Sequence, residues 1–183
     1  MTNQFSNKVS QVLAFSKEEA IRLASETVGP EHLLLGMLRD KESIIYDIFN
    51  QFQLHLELVK QSLEASLQER NKSTSAPAEL MLNESASNIL KLAVLEARIQ
   101  HSSLVDIQHL LWAILHDQVE NGAKKVLEMN HLNYEDTLKY LTQKAGNTQD
   151  GLQLPDEDED EEGTLPSQSK NGQKYSKSTM TST

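Results

Sequence analysis

Apolar side chains recur along the chain at helical spacing. Val9, Val12, Leu13, Ala20, Leu23 and Ala24 line one stripe, and Ala86, Ile89, Leu90, Ala93, Ala97 and Ile99 line another. Each stripe predicts an amphipathic helix with one face for a core. Phe5-Ser6 and Leu82-Asn83 stand just ahead of these stripes, an apolar residue followed by a good N-cap. Downstream, His32 to Leu38 and His109 to Leu115 are apolar nearly all round, which predicts helices buried by their neighbours. Gly29-Pro30 and Asp106-Ile107 supply the cap and first-turn residues of these two helices. Shorter helices are expected over Ser43 to Phe52 and Asn121 to Met129, and longer ones over Leu56 to Arg70 and Tyr134 to Lys144. No alternating strand pattern stands out, so the expected class is all-α.

These elements occur twice because the chain repeats itself. The stretch VGPEHLLLG at Val28 returns as VDIQHLLWA at Val105. A shift of 77 residues lays eleven residues on identical ones, among them Ser10 on Ser87, Glu19 on Glu96, Ser25 on Ser102, His32 on His109 and Asp40 on Asp117. Past Asp40 the shift becomes 78, placing Leu54 on Leu132 and Glu57 on Glu135. A unit of roughly 65 residues is a whole helical subdomain rather than a short solenoid repeat. The expected organisation is repeat 1 over 5–70, a polar connector over 71–79, repeat 2 over 80–145 and a tail over 146–183. Two tandem four-helix repeats make a pseudo-twofold bundle.

Charge separates the tail from the bundle. The chain has 183 residues and a net charge of −10, and residues 147–183 hold eight acidic and three basic side chains, a net of −5. That tail has few large apolar residues and is expected to be a disordered acidic linker. The run Asp156 to Glu162 lacks the spaced ligands and mid-loop glycine of a calcium loop and reads as a solvated spacer. The negative balance argues against nucleic acid as a partner, which needs lysine and arginine to displace counterions. There is no cysteine, no apolar leader and no run long enough for a membrane helix, so a cytoplasmic protein away from membranes is expected.

The order F-S-x-K-V-x-x-V-L, then EEAIRLA, then G-P-E-H-L-L-L-G-M-L-R, with a weaker second copy, resembles the amino-terminal domain of Clp-type AAA+ unfoldases, nearest the ClpC branch. The resemblance covers residues 5 to about 145. It implies a domain that captures protein substrates and adaptor proteins for unfolding by ATPase modules and delivery to the ClpP peptidase. No G-x-x-x-x-G-K-[ST] phosphate loop occurs in this chain, so no cofactor is expected here and ATP would bind modules outside it. The chain reads either as the amino-terminal part of such an unfoldase or as a free-standing interaction protein that competes with such domains for adaptors.

The resemblance also implies a site for phosphorylated arginine in each repeat, a carboxylate facing the guanidinium and polar groups facing the phosphate. Glu31 stands at the glutamate's place with Ser6 at the hydroxyl's, while repeat 2 has Gln108 and Asn83 there. A carboxylate matches a guanidinium fork, whereas glutamine gives up the charge. Pro30 removes a backbone donor beside Glu31. Glu31 also has a plain structural reading, an acid favouring its helix dipole by roughly 0.3 to 1 kcal/mol. Phe5 and Leu82 admit two readings as well: staples over the next turn, or an apolar patch that docks adaptors and unfolded segments. Catalysis and metal binding are not expected. His32 and His109 share one repeat position, which favours a role in the fold, and no H-E-x-x-H or G-x-S-x-G motif occurs.

Overall fold

A computed structural model describes residues 4–70 and 79–153. Most of the expected connector, and the expected tail from 154 onward with its acidic run, lie outside the described residues. Eight helices are present among them: α1 Asn7–Arg22, α2 Pro30–Met37, α3 Ile44–Gln51, α4 Leu56–Arg70, α5 Glu84–Ile99, α6 Ile107–His116, α7 Gly122–Met129 and α8 Tyr134–Gln153. The chain divides into a unit ending at Leu138 and a second one from Lys139, whose described part is the remainder of α8. This helix runs past Lys144, where the apolar pattern ends, so residues 146–153, expected as the start of a disordered linker, are helical instead.

Both copies use the same local chemistry. Ser6 Oγ accepts the Val9 amide at 3.2 Å, and Asn83 Oδ1 accepts the Ala86 amide at 2.9 Å, capping α1 and α5. Helices α1, α3, α5 and α7 all close on a residue in left-handed conformation: Ala24 at φ 55°, Gln53 at 59°, His101 at 58° and His131 at 66°. The next amide then reaches back one full turn, as from Ser25 to the Ala20 carbonyl at 2.9 Å and from Ser102 to Ala97 at 2.8 Å. A left-handed residue with a Cβ costs about 1–2 kcal/mol, part of which glycine returns as unfolded-state entropy. Ala24→Gly, at an exposed position, is therefore expected to stabilise the protein by about 0.5–1 kcal/mol in urea denaturation.

The core is built on α2 and α6. Leu33, Leu34, Leu110, Leu111 and Ile114 are fully enclosed. Helix α1 packs on α2 and α5 on α6, within each repeat. Gly36 sets the first approach: a Cβ there would lie 2.7 Å from the Val12 carbonyl and 2.6 Å from Ser16 Oγ. The corresponding positions of repeat 2 are Ala113 and Ala93, both fully buried.

Between the repeats the contacts are reciprocal. Helix α2 packs on α7 and α6 on α3, so each central helix meets the third helix of the other copy. The entry strands cross over too. Phe5 bridges in parallel to Val105, and Val28 to Leu82. The Ser6 amide donates to the Val105 carbonyl at 2.9 Å, and the Asn83 amide to the Val28 carbonyl at 2.9 Å. Residues 5 and 28 are the repeat mates of 82 and 105, so the two bridges are one interaction made twice about a pseudo-twofold axis.

Candidate functional site

The crossover decides which side chains meet. Read along the sequence, Ser6 belongs with Glu31 and Asn83 with Gln108; the structure instead joins each start to the other repeat. A Cβ built on Gly29 would lie 3.0 Å from Asn83 Nδ2 and 3.1 Å from Glu31 Oε1, so the amide and the carboxylate converge on the glycine that opens α2. At the mate junction Asp106 stands in place of Gly29. The Ser6 hydroxyl donates to Asp106 Oδ1 at 3.1 Å, and the same oxygen accepts the Ile107 amide at 2.9 Å. The α6 entry is thus closed by its own carboxylate, with Gln108 half-buried two residues on.

The Asn83 junction opens into a cleft of about 250 Å³ between α2, α5 and the loop entering α7. Glu31, Asn83 and Ser85 line it, with Glu120, Asn121 and Lys125 on the far wall. Glu31 is only 3% exposed. Its carboxylate packs against Gly122, the first residue of α7, where a Cβ would overlap it. The acid therefore sits at the positive end of a helix other than its own. The repeat-1 mate of Gly122 is Ile44, so glycine at this point is particular to the cleft side. Glu120, Asn121, Gly122 and Lys125 did not stand out in the sequence. One signal was there: the change of shift from 77 to 78 falls in the loop that delivers them, with three steps from Asp40 to Ser43 and four from Asp117 to Asn121.

Phe5 and Leu82 are half-buried against the bridges that hold them. Next to them the open apolar surface belongs to Met81, 67% exposed, and Leu104, 45% exposed.

The paired histidines serve the fold. The Gly29 amide donates to His32 Nδ1 at 2.9 Å, and His32 Nε2 lies 2.9 Å from Ser25 Oγ. The Asp106 amide donates to His109 Nδ1 at 2.9 Å. Each ring fastens the entry of its buried helix and uses a nitrogen lone pair to do so, which suits a neutral imidazole. Burial pushes the His109 imidazole below its ordinary value, against the smaller opposing effects of Asp106 and Glu96. The unfolded state then binds a proton near its ordinary 6.5 that the folded state refuses, so this contribution to stability is present above that pH and lost below it. In urea titrations between about pH 5 and 7, His109→Gln is expected to show a shallower fall of stability with acid than the parent chain. An equal slope would contradict this.

Among the described residues no group of three or more His, Asp or Glu side chains is placed to hold a metal ion, and no helix is long and apolar enough to cross a membrane.

Comparison with known proteins agrees with this architecture. Residues 4–130 match the family model described as the Clp repeat (R) N-terminal domain. The ATP-dependent Clp protease ATP-binding subunit ClpC of Staphylococcus saprophyticus is 29% identical over 130 residues, 71% of this chain and 15% of that protein. The Staphylococcus aureus ClpC is 26% identical over 144 residues, 79% of this chain and 17% of that protein. The chain thus spans less than a fifth of either relative. Among solved structures, the Hsp104 N-terminal domain of Candida albicans has a TM-score of 0.62 at 17% identity, covering 73% of this chain and 85% of that one. The N-terminal domain of the chaperone ClpD from Arabidopsis thaliana has a TM-score of 0.57 at 20% identity, covering 76% and 95%. With a family match over most of its length and an eight-helix, twice-written bundle, the chain belongs to the Clp repeat N-terminal domain family.

Proposed function

We propose that this domain receives protein substrates and adaptors for a ClpC-like ATP-dependent unfoldase that passes them to the ClpP peptidase, and that the cleft on Glu31 is where a client is held. The observation that carries this reading is the mixture of charges in the cleft. Glu31 and Glu120 offer carboxylates to a guanidinium, while Lys125, Asn83 and Ser85 offer donors to an anion on the same group. Phosphoarginine joins those two charges in one side chain. Met81 and Leu82 lead directly into Asn83, so an apolar lip flanks the polar cleft and suits the residues beside the modified arginine. At the mate junction the Asp106 carboxylate takes the anion's position, which leaves one site per chain rather than two.

Calorimetric titration of the whole chain with a phosphoarginine peptide tests the reading. Glu31→Ala is expected to abolish binding while far-ultraviolet circular dichroism stays unchanged and stability falls by no more than about 2 kcal/mol, the upper value of a helix-dipole contact away from solvent. Retained affinity in that variant would remove Glu31 from the site.

A further inference from the structure

The duplication supplies an internal comparison at a second place. Glu19 and Glu96 are repeat mates, and both are buried carboxylates. In repeat 2 the Glu96 site is filled. His116 Nδ1 lies 2.7 Å from one carboxylate oxygen, the Tyr134 hydroxyl donates to the other at 2.9 Å, and the two rings stack with centroids 4.1 Å apart. Burial, together with that hydrogen bond, pushes the Tyr134 phenol up to about 12, so it remains a donor.

Repeat 1 keeps the carboxylate but sets Arg39 in place of His116, and the Arg39 guanidinium lies 4.3 Å from the centroid of the Phe15 ring, with no ring at the position of Tyr134. Glu19 accepts from Arg22 Nη2 at 2.6 Å and from Arg39 Nη1 at 3.2 Å, and Arg39 is the mate of His116. The mate of Tyr134 is Leu56, and that of Trp112 is Leu35. With these shorter side chains a cleft of about 300 Å³ opens over Glu19, Arg39 and Leu56, floored by Leu35 and Leu38. Tyr46, Glu57, Lys41 and Lys60 complete its lining, and neither lysine has an ion pair among the described residues.

We infer that this repeat-1 cleft is a docking site for an acidic segment of a partner protein that inserts one tyrosine or phenylalanine ring, seated over Arg39 as Tyr134 is seated over His116, with neighbouring carboxylates on Lys41 and Lys60. The fold itself demonstrates that an aromatic ring fits the mate of this position. The volume lies at the lower end of ligand pockets and suits one side chain rather than a cofactor. A ring on the face of the Arg39 guanidinium opposite Phe15 adds a second cation–π attraction. The two uncommitted ammonium groups, in a chain of net charge −10, select for acid on the partner and set its approach. This surface is formed by α1, α2, α3, α4 and the loop before α3, and it shares no lining residue with the Glu31 cleft.

The test is a titration of the full chain, followed by amide-resonance NMR, with the blocked peptide acetyl-Ser-Asp-Tyr-Glu-Ser-amide and its alanine counterpart acetyl-Ser-Asp-Ala-Glu-Ser-amide. The tyrosine peptide is expected to saturate in the sub-millimolar range and shift resonances around Arg39, Lys41 and Leu56, with at least about tenfold weaker binding of the alanine peptide. Leu56→Tyr, which writes the repeat-2 residue into repeat 1, is expected to abolish binding while keeping the helical circular dichroism. Should that variant lose its fold, Lys41→Glu with Lys60→Glu on the surface gives the same reading through an expected tenfold or larger loss. No saturation by the tyrosine peptide, equal binding of both peptides, shifts confined to the Glu31 cleft, or undiminished affinity in a folded variant would each overturn the proposal.

Discussion

Repeat 1 expressed alone, as residues 1–78, is expected to lack cooperative unfolding and a stable helical signal, whereas the intact chain melts as one transition. The reason is that the repeats are not two domains in a row. Each central helix is buried partly by the third helix of the other copy, and each entry segment finds its backbone partners across the axis. Separation would bare the side of α2 that meets α7, in a helix every residue of which is buried in the whole chain. Burying a leucine contributes about 1.5–3 kcal/mol, and a domain's net stability is only about 5–15 kcal/mol. Losing several such side chains at once removes the margin. The measurement is circular dichroism with urea denaturation of the isolated repeat and of the intact chain, and a cooperative transition in the isolated repeat would refute the interlocked description.

The second large effect is expected at Gly36. An exposed helical glycine usually gains about 1 kcal/mol on replacement by alanine. Here the sign should reverse, because the new Cβ would meet the Val12 backbone carbonyl at 2.7 Å, and backbone cannot rotate away as a side chain can. Gly36→Val adds two further methyl groups at the tightest point between α1 and α2 and is expected to cost about 3 kcal/mol, an overpacking penalty at the upper end of the usual range. That corresponds to a melting temperature roughly 10 °C lower for a domain of this size. A neutral or stabilised Gly36→Ala would show that α1 and α2 can separate without cost.

Much of this architecture was legible from apolar spacing. Seven of the eight helices lie where their stripes and caps point, and α8 starts there but continues to Gln153, because a capped amphipathic segment carries its own boundary signals in residues such as Ser6, Asn83 and Asp106. What the spacing could not convey was the exchange between copies. Val28 and Val105 read alike as helix entries, and nothing local says that Val28 will pair with Leu82 and Val105 with Phe5. Pairing across 54 residues for Val28 with Leu82, and 100 for Phe5 with Val105, is decided by packing of the whole bundle. The same exchange separates Ser6 from the Glu31 cleft and brings Asn83 to it. The left-handed residues were also hidden, since Ala24, Gln53, His101 and His131 are not the glycines that normally announce such a cap. Their recurrence at equal places in both copies shows that the turn is imposed by the fold and accepted at a cost.

Divergence between the copies is visible in single residues. Gly29 against Asp106 opens one helix entry and closes the other. Gly122 against Ile44 makes room for the Glu31 carboxylate. The two junctions of the duplication therefore differ, one opening into a polar cleft and the other closed by internal hydrogen bonds.

The most direct test of the proposed reception role is calorimetric titration of the intact chain, at moderate salt, with a phosphoarginine peptide and with the same peptide carrying unmodified arginine. The account predicts one saturable site for the modified peptide, lost in Glu31→Ala, and much weaker binding of the unmodified one. No heat at millimolar ligand, or equal binding by the parent chain and Glu31→Ala, would contradict it.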